Sequence, residues 1–472
     1  MAVSGTRIAQ LIVLGAVLAS VHRPMRARAD ELVLRGPIAS LPLSVSVPRS
    51  DLTEAPVPDP ARQSGMPADA ASDGVVPGAV LPQPAMSLDE LQQIAWQSNP
   101  TLVQARMAVR EAMGQQAQAG VYLNPEIGWS GEDIGMDRTS GQQGAFVAQE
   151  FITAHKRQLA RSTAGHGVAV AQHALEAQHW RVTNSVRWGF YEVLIAEKMV
   201  RVNEDLVRVA KDAEDVTARS RELKEVTEAD VLQAAIEAQR SEVSLYQARN
   251  RHRTAWFQLA NVLGRPELSP VPLSGDVIQD LPVIKWDEGL ARLLSLSPEL
   301  AQAQAQLEQA RCNLAWQCAR GRANFTVQVG AKYDETVRDT LADVSLSMPL
   351  QLFDRNQGNI MSAQAGLVAA TREVERVQLD LRNRFVAAFE QYSNNLHQVN
   401  VFHATILDKA QKSLDLTAIG YREGEFSYLS LLTAQRTYFA VNLEYLASLQ
   451  QLWAQAVALD GFLLTGGLDA RK

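Results

Sequence analysis

The stretch YREGEFSYLSLLTAQRTY, residues 421–438, decides the fold of this chain. Glu423-Gly424-Glu425 at its centre predicts a tight turn, because glycine adopts the positive φ that ends a helix without steric cost. On both sides of the turn, apolar residues recur in steps of three and four, which is the pattern of a coiled-coil seam. The seam residues are Phe385, Phe389, Tyr392, Leu396, Val399, Ile406 and Ala410 upstream, and Phe439, Leu446, Leu449, Trp453, Ala456 and Leu463 downstream. The stretch therefore predicts the tip of a long helical hairpin.

A second copy of this pattern lies 200 residues earlier, at residues 221–246. The offset aligns Glu225 with Glu425, Leu232 with Leu432, and Ala234 with Ala434. Internal repetition fixes an architecture more firmly than any single element does. We therefore expect two structural repeats, at residues 86–264 and 287–464, with a proline-rich connector at 265–286 and a tail at 465–472.

Each repeat has the same predicted order: a short helix, a β-hairpin, a very long helix, a turn and a medium helix. The predicted helices are residues 88–120, 157–222 and 227–264 in the first repeat, and 288–320, 359–422 and 427–464 in the second. Pro100 and Pro298 each open a Pro-x-Leu helix start inside the short helix. At a rise of about 1.5 Å per residue the long helices reach roughly 100 Å, and the two shorter helices of a repeat together cover the same distance.

The hairpins alternate apolar and polar residues, as a strand does between lipid and water. In the second repeat one face carries Phe325, Val327, Val329, Ala331 and Tyr333, and the return strand carries Ala342, Val344, Leu346 and Met348. In the first repeat we expect Ile127 and Trp129 on this face, continued by Phe146 and Ala148. An amphipathic hairpin on a soluble sheet is the alternative. Four strands cannot close a barrel and an open edge is not tolerated in lipid, so several chains must contribute; three chains supply twelve strands.

The N-terminus has the features of a secretory signal peptide, with Arg7, an apolar run and a small-residue cleavage site within residues 1–29. Residues 30–85 are rich in proline, serine and alanine, and predict a disordered segment. The apolar run is too short to span a bilayer comfortably. Since no cysteine lies near the cut, we expect no N-terminal lipid. Ser87 and Glu90 predict a capping box at the first helix.

Composition excludes several classes of function. The net charge of −7 with scattered basic residues does not favour nucleic-acid binding. Cys312 and Cys318, six residues apart on a predicted helix, do not favour a disulfide or a redox site. No phosphate-binding glycine loop, GxSxG motif or triad order occurs, so we predict neither an enzyme nor a cofactor.

Several motifs resemble the TolC-like outer-membrane factor family. They are Gln149-Glu150-Phe151 followed by Lys156-Arg157-Gln158, the stretch PLQLFDRNQGN at residues 349–359, and the stretch at 421–438. The amino-acid sequences of these motifs are most similar to those of the heavy-metal efflux branch, of cobalt–zinc–cadmium or copper–silver type. The resemblance implies a fold that is mainly α with a membrane β-barrel, in which long coiled-coil hairpins form a periplasmic α-barrel and four strands per chain close as a trimer.

The same resemblance implies location in the outer membrane of a Gram-negative bacterium, with a long periplasmic portion. The implied partners are two further copies of the chain, outer-membrane lipid, a periplasmic membrane-fusion adaptor and an inner-membrane proton-driven pump. Adaptor contacts are expected at the tips, where the candidate residues are Lys224, Glu225, Arg422, Gly424 and Glu425. A multidrug or type I secretion channel is the alternative within this class, and a periplasmic coiled-coil scaffold without a pore is the alternative outside it.

The family's inner-helix gate falls on Asp230 and Gln233 in the first repeat and on Ser430 and Thr433 in the second. Each pair is three residues apart, on one helix face. The second repeat offers only hydroxyls, so the hypothesis is one acidic constriction formed by Asp230 and its symmetry copies. The alternative is that Asp230 is a solvated acid at a helix end. His166 and His173 lie seven residues apart, a spacing that does not favour metal binding on a helix, and we predict no metal site.

Overall fold

The computed structural model describes residues 85–138, 140–223, 226–278, 281 and 283–469. The predicted signal peptide and nearly all of the predicted disordered segment lie outside the described residues. The first repeat contains α1 (Leu88–Ser98), α2 (Pro100–Ala119), β1 (Glu126–Glu132), β2 (Gln142–Phe151), α3 (Lys156–Glu222) and α4 (Glu228–Val262). The second repeat contains α5 (Trp286–Leu296), α6 (Pro298–Arg320), β3 (Phe325–Asp334), β4 (Asp339–Ser347), α7 (Gln357–Val401), α8 (Leu407–Arg422) and α9 (Tyr428–Asp460).

The predicted short helix is two helices in each repeat, so the prediction of single helices at 88–120 and 288–320 was wrong. The break falls at Asn99 and at Ser297, whose ψ angles of 123° and 122° are extended. The residue before a proline is driven out of the helical region by the proline ring, and the proline then opens the next helix. The Ser87–Glu90 capping box is confirmed, with both of its hydrogen bonds present.

The second long helix is also interrupted, although the prediction was one continuous helix at 359–422. A single π-helical turn, Phe402–Ile406, separates α7 from α8. The corresponding part of the first repeat lies inside α3, which is α-helical over 67 residues. A π turn inserts one extra residue into the helical ladder, so the seam residues beyond it are rotated relative to those before it.

The four strands form one antiparallel sheet in the order β1-β2-β3-β4. Strand β2 of the first repeat pairs with β3 of the second, and Val147 lies opposite Val329. The sheet therefore joins the two repeats directly. Among the described residues the four predicted strands are confirmed, and β1 and β4 are the outer strands.

One predicted sheet face was wrong. Val147 and Ala145 lie opposite Ile127 and Trp129, so they share their face. Phe146 and Ala148 point to the other face, which buries Ala148. The hairpin loop explains the error: its length and its left-handed residues, such as Asp133 and Gly141, set the register, and a one-residue shift exchanges the two faces.

The helices pack in two rows. Near the sheet, α2 packs on α3, α3 on α6, and α6 on α7. Near the hairpin tips, α4 packs on α3, α3 on α9, and α9 on α7 and α8. In each row the outer helices come from different repeats, so α2 and α7 bound the first row, and α4 and α8 bound the second.

The core lies at the middle of the chain's long helices, where the predicted seams are buried. Phe385, Tyr392, Leu449 and Trp453 are almost completely inaccessible to solvent. The connector lies against this core, because Trp453 Nε1 donates to the carbonyl of Val277 at 2.9 Å. Trp256 of α4 donates in the same way to the carbonyl of Leu268 at 2.9 Å. Among the described residues, none of the helices is both long and apolar enough to cross a membrane.

Candidate membrane face and hairpin-tip gate

The sheet exposes a largely apolar face, on which Gln143, Gln149 and Thr340 are the polar exceptions. It carries Ile127, Trp129, Val147, Phe151, Val329, Tyr333, Val344 and Leu346, all of which are more than one third exposed. Isolated apolar residues are ordinary on a protein surface, but a contiguous apolar patch indicates contact with a partner or a membrane. Strands of seven to ten residues, as these are, approach the length of a transmembrane β-strand.

The opposite face of the sheet is polar. Lys332 Nζ lies 2.6 Å from a carboxylate oxygen of Glu132 across the sheet. Thr326, Gln328 and Ser345 share this face. Phe146, Ala148 and Leu341 are apolar exceptions on this face, and the Phe146 ring covers Gly128, where a side chain would meet it at 2.3 Å. The two faces therefore separate an apolar environment from a polar one.

The second hairpin tip has the predicted turn. Gly424 adopts φ 80°, as its sequence context predicted. The amides of Glu425 and Phe426 both donate to the carbonyl of Gly420, at 2.8 and 3.2 Å, and so satisfy the end of α8. The Phe426 ring lies so close to Gly420 that an added Cβ would meet it at 2.3 Å. Arg422 and Glu425 are exposed at this tip, whereas Lys224 and Glu225 of the first tip lie outside the described residues.

The second hairpin is held against the first by a small apolar cluster. Tyr428 and Leu432 of α9 pack against Ala213 of α3 and Ala234 of α4. Burial, together with the negative charge of nearby Glu237, raises the pKa of Tyr428 to about 12, so its hydroxyl remains protonated at physiological pH. The alanines allow α9 to approach closely.

A bidentate ion pair lies beside this cluster. Arg436 of α9 donates to both carboxylate oxygens of Glu237 on α4, at 3.2 and 2.6 Å. Glu237 is the more buried partner, at 17% side-chain exposure against 49% for Arg436. The hydrogen bond to Glu237 raises the pKa of Arg436. A bidentate arginine–carboxylate pair constrains the relative orientation of its two side chains in addition to neutralising their charges. This contact therefore fixes the position of one hairpin relative to the other.

Asp230 forms the capping box of α4. Its Oδ2 accepts hydrogen bonds from the Thr227 hydroxyl at 2.6 Å and from the Thr227 amide at 3.0 Å. These bonds, the hydroxyl first, lower the pKa of Asp230. The carboxylate is therefore charged at neutral pH and lies at the helix N-terminus, where negative charge is stabilised.

The other predicted gate residues lie near their helix starts. Ser430 occupies the position equivalent to Asp230, and its amide donates to the Ser427 hydroxyl at 3.3 Å. The hydroxyl of Thr433 donates to the Leu429 carbonyl at 2.8 Å. Gln233 is half-buried on α4. At the four predicted gate positions one chain thus presents a carboxylate and three neutral polar side chains.

Sequence reasoning missed Glu237, Arg436 and Gly420. Arg436 follows the apolar residue Leu432 by four positions and so places a charge on the same helix face. This charge on an apolar face was the signal that the sequence offered. The partner of Arg436 lies on the other repeat, 199 residues away, and no local pattern identifies it.

The histidines do not form a pair. His166 and His173 both lie on α3, and His173 Nδ1 is 3.5 Å from Glu176. Within the part of the chain that the structure describes, no three histidine, cysteine, aspartate or glutamate side chains come together as a metal site.

Comparisons with known proteins agree with this architecture. The sequence is 27% identical over 379 residues to the cobalt-zinc-cadmium resistance protein CzcC of Cupriavidus metallidurans, covering 80% of this chain and 90% of that protein. It is 23% identical over 407 residues to the pyoverdine export outer membrane protein OpmQ of Pseudomonas aeruginosa, covering 76% and 81%. The fold resembles the solved structure of CusC with a TM-score of 0.67 at 17% identity, covering 80% of this chain and 92% of that one.

The outer membrane efflux protein family matches residues 91–265 and 289–463, the larger part of the chain. The two matched stretches each contain a set of two short helices, a hairpin, a long helix and a medium helix. The apolar sheet face and the long hairpins described above are the features that such a protein requires. The chain therefore belongs to the outer membrane efflux protein family and is an outer-membrane efflux channel.

Proposed function

We propose that this chain acts as a homotrimeric channel of a tripartite efflux system and passes heavy-metal cations to the cell exterior. The observation that carries the proposal is the sheet, which exposes one apolar face and ends in two outer strands, β1 and β4. In lipid an unpaired strand edge costs several kcal/mol for each unsatisfied group. Pairing β4 of one copy with β1 of the next removes both edges, and three copies give a barrel of twelve strands, within the usual range.

The helices support the same head-to-tail arrangement. On α7, exposed apolar residues follow one stripe: Met361, Val368, Leu379 and Val386. On α4 a similar stripe comprises Leu232, Ile236, Val243 and Phe257. Both helices are outer members of their rows. In a ring of copies each stripe would be covered by the outer helix of the next chain, and the rows would form the wall of a tunnel.

The cargo proposal depends on the likeness to CzcC, which spans most of both chains. The likeness to OpmQ is the observation that favours a second candidate, export of small organic molecules. Passage of metal ions needs a polar conduit and no binding site. Selection would belong to a proton-driven pump in the inner membrane, joined to the hairpin tips by a periplasmic adaptor through residues such as Arg422 and Glu425.

Deleting the gene and recording a tolerance profile tests the cargo. The profile compares tolerance to zinc, cobalt, cadmium, copper and silver with tolerance to dyes, detergents and antibiotics. We expect loss of tolerance to one or more metals, restored by a plasmid copy of the gene. Loss of tolerance to the organic compounds alone would support the second candidate and overturn the metal proposal.

For the gate, we propose that the Asp230 carboxylates of three chains form one acidic constriction near the tips. Its lowered pKa keeps Asp230 ionised at neutral pH, although its hydrogen bonds to Thr227 also give it a structural role. Like charges brought close together oppose closure unless cations screen them. A ring of this kind would favour cations over anions.

Asp230→Asn separates the two roles of this residue. Asparagine still accepts hydrogen bonds at a helix start, so the cap survives while the charge is lost. We expect the channel to lose most of its preference for cations, measured as the reversal potential under a salt gradient in planar bilayers. Ser430→Asp, which adds a carboxylate at the equivalent position, should strengthen the preference. An unchanged reversal potential in both variants would contradict the acidic constriction.

We propose that the Glu237–Arg436 pair holds the hairpin tips in the closed arrangement, so that Arg436→Gln is expected to favour the open channel. The variant leaves Glu237 without its partner, and a partly exposed pair of this kind contributes about 1 kcal/mol, or roughly a fivefold change in the open-to-closed ratio. Single-channel recording measures the open probability. Lys412→Gln, which removes an exposed charge from α8 that pairs only within its own helix, is the control. Equal open probabilities in the two variants would show that the Glu237–Arg436 pair does not hold the gate.

A further inference from the structure

A second group of charges lies at the opposite end of the helices, where they meet the sheet. The junction cluster comprises Lys156, Arg157, Arg161, Arg320, Arg322 and Arg355. Two carboxylates lie in the same segments, Glu150 and Asp354. The neighbourhood therefore carries an excess of four positive charges in a chain whose net charge is −7.

Two members of the junction cluster hold the junction together. Lys156 Nζ donates to the carbonyl of Arg322 at 2.5 Å and to Asn324 at 2.6 Å. Arg157 donates to the carbonyl of Gly120 at 3.1 Å, and its guanidinium lies over the ring of Tyr122 at 3.5 Å. These contacts satisfy carbonyls at the ends of α2 and α6. Basic side chains commonly bind the unpaired carbonyls at helix C-termini in this way.

The other four arginines have a different environment. Arg161, Arg320, Arg322 and Arg355 are exposed, and none of the six cations forms an ion pair with a carboxylate among the described residues. Elsewhere on the helices exposed cations are usually paired, as Arg201 is with Glu197 at 2.6 Å. Glu150 is held by the side-chain amide of Asn324 at 2.7 Å. The junction thus presents guanidinium groups with free donors.

The backbone brings three of these arginines, Arg320, Arg322 and Arg355, together. Arg320 and Arg322 flank Gly321, where an added Cβ would lie 2.8 Å from the carbonyl of Arg355. Asn356, in the left-handed conformation, donates to the carbonyl of Gln317 at 2.7 Å and so fixes the start of α7 against the end of α6. The cluster is therefore a defined feature of the junction.

Exposed apolar side chains lie in the same segments. Tyr122 precedes β1, and Leu350, Leu352 and Phe353 follow β4, with Phe353 91% exposed. These exposed residues lie beside the sheet along the chain, between its strands and the helices. An apolar band bordered by cations is the arrangement that places acyl chains and headgroups side by side at a bilayer surface.

We propose that the junction cluster binds the phosphate groups of anionic glycerophospholipids in the membrane leaflet on the helical side, while Leu350, Leu352 and Phe353 enter its acyl region. The inference rests on the outer-membrane placement proposed above. Arginine suits this ligand because its planar fork binds two phosphate oxygens at once. Charge complementarity and the position of these residues beside the sheet along the chain select lipid as the occupant. The bound lipid would fix the depth of the barrel in the membrane.

Native mass spectrometry of the detergent-solubilised assembly tests this proposal, by titration with phosphatidylglycerol and with phosphatidylcholine. The wild-type chain is expected to bind phosphatidylglycerol at least about tenfold more tightly, since each arginine near an anionic surface contributes roughly fivefold. The triple variant Arg320→Gln, Arg322→Gln, Arg355→Gln should lose this preference. A control that removes three charges from the helices, Arg201→Gln, Arg208→Gln, Lys412→Gln, should keep it. The single variant Arg355→Gln, which disturbs the fold least, should lose about fivefold.

Three results would overturn the proposal. The first is equal binding of the two lipids by the wild-type chain, and the second is an unchanged preference for phosphatidylglycerol in the triple variant. The third is dissociation of the triple variant into single chains, while the assemblies that remain intact keep the preference for phosphatidylglycerol. The last result would assign the arginines to contacts between copies. Release of the wild-type chain from membranes by urea would instead contradict the membrane placement itself, so the two failures can be told apart.

Discussion

Val344→Arg is expected to prevent stable assembly of the channel in the membrane. Val344 lies in the middle of β4 on the apolar face, is 71% exposed, and lies opposite Val329. An arginine on the lipid face near the bilayer midplane costs about 2–4 kcal/mol, and a trimer repeats the cost in each copy. We expect little or no heat-stable oligomer in the outer-membrane fraction, measured by gel electrophoresis without boiling.

Ser345→Arg is the matched control, because it introduces the same side chain one residue later. Ser345 lies opposite Gln328 on the polar face, so its replacement should leave assembly near the wild-type level. The pair of variants tests which face meets lipid. Equal loss of oligomer in both would mean that the sheet does not separate lipid from water, and a defect in Ser345→Arg alone would mean that the faces are reversed.

Trp453→Ala is expected to cause the largest loss of stability in the helical region. Trp453 is 1% exposed, stacks on Tyr191 with ring centroids 3.4 Å apart, and donates to the carbonyl of Val277. Removing a buried tryptophan leaves a cavity and costs about 3–5 kcal/mol. The carbonyl of Val277 also loses its donor, which loosens the connector. Guanidinium unfolding of the solubilised protein, followed by helical circular dichroism, measures the change.

Trp453→Phe separates packing from the hydrogen bond. Phenylalanine keeps a ring against Tyr191 but cannot donate to Val277, so we expect a smaller loss, of about 1–3 kcal/mol. Trp129→Ala, on the exposed sheet face, should leave helical unfolding unchanged. If Trp453→Ala unfolded at the same denaturant concentration as Trp129→Ala, the core around α3, α9 and the connector would not control stability.

The second tip and the outer sheet face could be predicted because local patterns encode them. Gly424 takes the positive φ that its turn requires, and the apolar residues of β3 and β4 lie on one face because alternate strand residues always do. The helix starts at Pro100 and Pro298 were predicted and are confirmed. The breaks before them were missed because the apolar period of each predicted short helix runs across its proline.

Long-range pairing decided the rest. Whether Phe146 or Val147 joins Trp129 depends on the hairpin register, and the sequence of a nine-residue loop does not fix it. The partner of Arg436 lies on the other repeat. Arg320, Arg322 and Arg355 come together only when α6 meets α7. The sequence predicts Asp230 at the start of a helix, but only the folded chain shows its carboxylate bound to Thr227.

By itself the sequence predicted the two repeats, the continuous helix α3, the alternating strands and the second turn, because each depends on the period of neighbouring residues along one segment. Only the tertiary structure decided the order of helices in the rows, the pairing of β2 with β3, the π turn at Phe402–Ile406 and the ion pair between the hairpins. Those features depend on contacts between residues far apart in the chain. Their free energy comes from packing and charge pairing that no single segment contains.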